Sequence, residues 1–251
     1  GARLCPVDGP LGRIDPANLD TAIARYPAEF VHSGRPMAIS VTQATEIGTV
    51  YGLDDLDAVA DVARRHGLPL HMDGARFANA LVSLDCSAAD MTWRRRIDLL
   101  SFGGTKNGCW CAEAVVLFDT GMAREFAFIH KRAAQLFSKS RFVAAQFDAY
   151  LANGLWLQTA RHSNAMAARL AGHLRRSPRA RLAWEPQANE VFAILGADVS
   201  ASLQREGVVF HPWHAPRGFA EAMAPDEAVF RFVTSFATTQ EDVESLGALI
   251  A

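Results

Sequence analysis

Four residues in this sequence have types and settings that could do chemistry together. Lys106 sits in the glycine-rich run Gly103-Gly104-Thr105-Lys106-Asn107-Gly108, just after an apolar stretch. Such a lysine can bind phosphate, act as an imine-forming amine, or be a solvated loop residue. The full G-x-x-x-x-G-K-[ST] phosphate loop is absent. Asp73 ends the apolar segment Leu68 to Met72 and is followed by Gly74, a place where open α/β sheets put ligand-binding groups. It could equally cap a helix. Arg76 follows one helical step later. Arg231 lies between Phe230 and Phe232 and shares a face with Val229 and Val233. There it could snorkel to water or meet a carboxylate with its planar fork. A lysine amine and a carboxylate at neighbouring strand ends are what a pyridoxal-phosphate cofactor requires, one for the imine and one for the pyridinium nitrogen.

Alternating strands and helices would position these groups. Short strands are expected at Met37 to Val41, Leu68 to Met72, Ile97 to Phe102 and Ala114 to Phe118. Between the first two, Leu56, Val59, Ala60 and Ala63 recur at helical spacing, with Asp54 or Asp55 as the cap and Gly67 as the stop. This order predicts a largely parallel sheet covered on both faces. The eleven residues from Gly103 to Glu113 are too few for a helical crossover, so the last two strands should pair antiparallel with Lys106 in their connection. Helices are expected within 122–155 and at Gln158 to Arg176. A strand at Glu190 to Leu195, a helix from Ala197 to Glu206, a strand at Val208 to Phe210, an alternating strand at Phe230 to Phe236 and a last helix near Thr239 should follow. The expected division is a cofactor-binding domain with its trailing helices at 1–155 and a small α+β domain at 156–251.

The totals narrow the setting. A net charge of -2 with interspersed charges offers no basic face to nucleic acid or an anionic membrane. No apolar run approaches the roughly 20 residues of a membrane span. The start, Gly1 to Pro6, lacks a signal peptide's apolar core, and a cytoplasmic protein is expected. Cys5, Cys86, Cys109 and Cys111 match neither a disulfide framework nor a paired zinc pattern, and read as buried, reduced thiols. His211 and His214 are separated by proline and tryptophan, with no third metal ligand near them in sequence. Phe126, Phe128, Phe137 and Phe142 are expected to pack between the two domains, and Arg94 to Arg96 to be a solvated helix end.

Three runs in order carry a family resemblance: Ile39 to Tyr51 (ISVTQATEIGTVY), His71 to Asn79 (HMDGARFAN) and Ser101 to Gly108 (SFGGTKNG), continued by Phe230 to Phe236 (FRFVTSF). Together they resemble the low-specificity L-threonine aldolases of the β-eliminating lyase family. The resemblance implies an α/β fold of the pyridoxal-phosphate-dependent transferase type (fold type I): a large domain incomplete at its N-terminus, plus a small α+β C-terminal domain. It implies pyridoxal 5'-phosphate as cofactor, with Lys106 forming the imine, Asp73 at the pyridinium nitrogen and Thr105 near the phosphate. Arg76 would lie on the cofactor-oxygen or substrate side, and Arg231 would hold the α-carboxylate. The implied reaction is retro-aldol cleavage of L-threonine-type β-hydroxy amino acids to glycine and an aldehyde. The implied assembly is a homodimer or homotetramer, since the family's sites lie at a dimer interface. Where some members carry a histidine near the substrate hydroxyl, this chain has Thr45 and Glu46, so no base is assigned. The family's phosphate-cradling loop and ring-stacking aromatic residue precede the point aligned with Gly1. Alternatives are another pyridoxal-phosphate lyase on the same scaffold, or an inert aldolase-like assembly protein.

Overall fold

The computed structural model describes residues 2–27, 29–216, 219 and 223–251. After α1 (Pro16–Ala24) come β1 (Ile39–Thr42), α2 (Leu53–Arg65), β2 (Leu70–Gly74), α3 (Phe77–Leu84), α4 (Ala88–Met91), β3 (Leu99–Gly103) and β4 (Glu113–Leu117). The four strands form one sheet in sequence order. β1, β2 and β3 run parallel and β4 antiparallel to β3, as the short connection requires. The helix expected after β1 is capped differently. Gly52 is its N-cap, and the Asp55 carboxylate accepts from the Gly52 backbone N–H at 3.0 Å. Asp55 thus closes the turn from inside the helix.

One face of this sheet is a true core. Val41, Leu70, Met72 and Leu100 pack against Leu56, Val59, Ala60 and Ala63 of α2. The expectation of coverage on both faces is corrected on the other side. Strand alternation puts Ser40, His71, Asp73 and Ser101 there, and these are half-buried or exposed. The His71 ring bridges strands, its Nδ1 2.8 Å from Ser40 Oγ and its Nε2 2.8 Å from Ser101 Oγ. Partial burial lowers its pKa and favours the neutral ring.

The chain continues through α5 (Ala123–Arg132), α6 (Arg141–Leu151) and the long α7 (Leu155–Arg176). α5 buries no residue, and Phe128, Phe137 and Phe142 are exposed while Phe126 stacks on His130. The expected packing of these phenylalanines between domains is therefore not formed, because α5 has little of the chain to lie against. The thiol expectation is half corrected: all four cysteines are free, but Cys5 and Cys111 are exposed.

A second sheet follows: β5 (Ala180–Leu182), β6 (Glu190–Gly196), β7 (His211–Pro212) and β8 (Glu227–Val233), in the order β5-β6-β8-β7 and all antiparallel. α8 (Ala197–Arg205) and α9 (Gln240–Leu249) complete it, α9 capped by Thr239. The strand expected at Val208 to Phe210 lies instead at His211–Pro212, and the alternating strand ends at Val233 rather than Phe236. The sheet packs α7, α8 and α9 on one face through Leu170, Leu174, Val191, Leu195, Leu203 and Phe232. The opposite face carries Trp184, Phe192, Ile194 and Val229.

That second face joins the loop after β1. Trp184 Nε1 donates to the Ile47 carbonyl at 2.7 Å, Gln187 N to the Gly48 carbonyl at 3.0 Å, and Val50 N to Gln187 Oε1 at 2.8 Å. Gly48 has φ +72°, and a Cβ there would sit 2.7 Å from the Glu190 carbonyl oxygen. Both the left-handed backbone and the close approach demand glycine. Gly48→Ala should cost about 1–3 kcal/mol, read as a lower urea midpoint at unchanged slope.

Candidate active site

The structure places Asp73, Arg76, Thr105 and Lys106 at or just beyond the carboxyl ends of β2 and β3, and Arg231 within β8. Asp73 occupies the penultimate position of β2, level with Thr42 of β1 and Ser101 of β3. It is not the N-cap of α3, a position held by Arg76. Its Oδ1 accepts from Ala75 N at 3.0 Å, which fixes the carboxylate at the strand end. β3 ends at Gly103, where a Cβ would meet Ala75 Cα at 3.0 Å, so the loops after β2 and β3 run close together. Lys106 lies in the turn Thr105–Asn107 and is exposed. Among the described residues it makes no ion pair with Asp73. Thr105 is also exposed, with its N–H donating to Glu113 Oε1 at 3.2 Å. The turn is anchored from behind by buried Asn107, whose Nδ2 donates to Tyr150 Oη at 2.7 Å and to the Trp156 carbonyl at 2.8 Å. Burial pushes the Tyr150 hydroxyl up to about 12, so it stays protonated.

Arg76, at the N-cap of α3, and Arg231, in β8, meet on a residue the sequence reading did not select. Glu190 is fully buried, and its Oε1 lies 2.8 Å from Arg76 Nη2 and 3.5 Å from Arg231 Nη1. Strand register explains half of this. Phe192 faces Arg231 across β6 and β8, so Glu190, two residues earlier on the same face, is its diagonal neighbour. The guanidinium of Arg231 also lies over the Trp213 ring, 4.1 Å from its centroid. The missed signal was an acidic residue opening the apolar run Val191 to Leu195, in phase with Phe192 and Ile194. Trp213 gave no such signal, because its contact depends on β7 pairing with β8.

Burial raises the Glu190 carboxyl from the usual range to about 7, against the opposing pull of Arg76 and Arg231. A carboxyl whose folded pKa is raised binds its proton more tightly in the folded state. Its stabilising contribution is complete below about pH 4.5 and is lost as pH rises through about 7. Glu190→Gln should therefore flatten the stability profile between about pH 4.5 and 7, as measured by urea midpoints across that range.

The residues present suit pyridoxal phosphate: an exposed amine at one strand end, a fixed carboxylate at the next, and two arginines beside them. The Nε groups of Arg76 and Arg231 are buried without a hydrogen-bond partner.

Comparison with known proteins agrees with this fold. The family model for β-eliminating lyases matches residues 1–197, and the chain belongs to that family. It is 35% identical over 249 residues to the low specificity L-threonine aldolase of Pseudomonas sp. (strain NCIMB 10558), covering 99% of this chain and 68% of that protein. The Pseudomonas aeruginosa protein of the same name is 36% identical over 247 residues, covering 98% and 67% respectively. Among solved structures, the threonine aldolase of Leishmania major superimposes with a TM-score of 0.88 at 27% identity, over 100% of this chain and 71% of that one. The fold is thus the mixed α/β architecture of the pyridoxal-phosphate-dependent transferase type. No described helix is long and apolar enough to cross a membrane.

Proposed function

We propose that this chain is a pyridoxal-phosphate-dependent lyase that cleaves the Cα–Cβ bond of L-threonine, L-allo-threonine and related β-hydroxy amino acids, giving glycine and an aldehyde. The observation that carries this reading is that Arg76, three residues after Asp73, and Arg231 of β8 share the Glu190 carboxylate, while Lys106 lies in the turn after the neighbouring strand β3. The names of the two Pseudomonas relatives support threonine-type cleavage over elimination of a β-substituent.

When bound, the cofactor supplies an electron sink for the carbanion left at Cα. Lys106 Nζ is the amine that would hold it, reachable because the turn Thr105–Asn107 presents it outward. Asp73 would keep a proton on the ring nitrogen through a carboxylate already oriented by Ala75 N. Thr105 would lie beside the phosphate. Arg231 and Arg76 would bind the α-carboxylate and so fix the substrate's orientation about Cα. Cleavage would transfer the β-hydroxyl proton to a base as the aldehyde carbonyl forms, the Cα–Cβ electron pair staying at Cα, which then takes up a proton to give glycine.

We place this activity in the cytoplasm, a setting consistent with four free cysteines. A homodimer or homotetramer is the assembly we propose, supported by exposed Phe128, Phe137 and Phe142. The division at 1–155 and 156–251 is retained as a proposal, supported by the two separate sheets.

Incubating the protein with the cofactor and L-threonine tests the reaction. Glycine and acetaldehyde in equal amounts are expected. Pyruvate and ammonia from a β-substituted substrate, without glycine release, would replace this reading by an eliminating lyase. No product with any substrate would favour an assembly protein.

A further inference from the structure

Glu190 is a fully buried carboxylate facing two guanidiniums, and neither of its oxygens makes a geometrically satisfactory hydrogen bond. An ionised carboxylate in that setting is costly unless the charges around it compensate. Arg76 and Arg231 supply two positive charges against one negative, so the trio carries a net charge of +1. The side chain of Glu190 is wholly enclosed while that of Arg231 is 24% exposed, which sets the carboxylate on the core side of Arg231. Trp213 covers one face of the same guanidinium. Each guanidinium has five N–H donors in a planar fork, so contact with Glu190 leaves donors for one further carboxylate.

We infer that Glu190 is a positioning and specificity-determining residue. Its buried carboxylate holds Arg76 and Arg231 together from the core side and leaves them one net positive charge, which suits a substrate with a single carboxylate and disfavours one with a second. This rests on the reading of the two arginines as the substrate-carboxylate site. A second anionic group on a ligand would meet no uncompensated cation in the trio, and would feel the repulsion of Glu190 itself. Removing the Glu190 charge turns the pair into a +2 site that a dicarboxylate can use with both ends.

The test is calorimetric binding of acetate and malonate to the cofactor-loaded protein at pH 8, where Glu190 is ionised and turnover is not the readout. The wild-type protein should bind the two anions within about threefold of each other, whereas Glu190→Gln should raise the malonate preference by about tenfold or more. Glu190→Asp keeps the charge but shortens its reach. It should weaken both anions while leaving their ratio near the wild-type value, which separates a charge effect from loss of packing. An unchanged malonate-to-acetate ratio in Glu190→Gln, or the same shift in Glu190→Asp, overturns the inference. Arg231→Ala should weaken acetate by about tenfold or more. Acetate binding indifferent to Arg231→Ala overturns the carboxylate-site reading, and the inference with it.

Discussion

Lys106→Ala should lower the cleavage of L-threonine by at least about 10³-fold, because no other step can replace a missing covalent anchor of the cofactor. The geometry makes this a clean experiment. Lys106 is exposed, its turn is held by the hydrogen bonds of Asn107 rather than by its own side chain, and it has no ion pair with Asp73. Its removal should change stability by no more than about 0.5 kcal/mol, within the range of ordinary surface substitutions. Steady-state kinetics with L-threonine, alongside a urea titration, separates the two effects. A variant that folds normally and keeps more than about a tenth of the activity would remove Lys106 from the mechanism.

Asp73→Asn should follow with a loss of about 10²- to 10⁴-fold in kcat, the usual span for a positioned acid or base. An amide oxygen can still accept from Ala75 N, so the strand end keeps its shape. The amide carries no charge, and a pyridinium facing it loses the partner that favours its proton. The cofactor should remain attached at Lys106 while its absorbance changes with the ring's protonation state. Kinetic constants and the visible spectrum of the same sample report both halves. A normal spectrum with less than about a tenfold fall in kcat would assign the ring nitrogen another partner.

Much of this arrangement is visible in the chain itself. The β1–β3 run, the antiparallel return of β4 and the placement of Lys106 between them follow from apolar periodicity and a loop too short to cross over. Asp73 and Lys106 could be singled out because Asp73 stands beside Gly74 at the end of an apolar strand and Lys106 lies in the glycine-rich loop after the next. Glu190 could not be weighed in the same way. Its importance comes from a diagonal across β6 and β8 and from Arg76 arriving from the start of α3, which are contacts between residues 41 and 114 positions apart. Which distant strands pair, and what crosses between them, is decided by tertiary packing. The exposed phenylalanines of the α5–α6 region illustrate the opposite error: apolar type suggested packing between domains, but α5 buries no residue and Phe142 lies on the exposed side of α6.

The central claim is that Lys106 is the cofactor lysine. Incubation with pyridoxal phosphate, reduction with borohydride and peptide mass mapping test it directly. A single pyridoxyl group on the peptide carrying Lys106 is the expected result. A reduced adduct on Lys131 or Lys139, or no adduct under conditions where the protein is folded, would contradict the account.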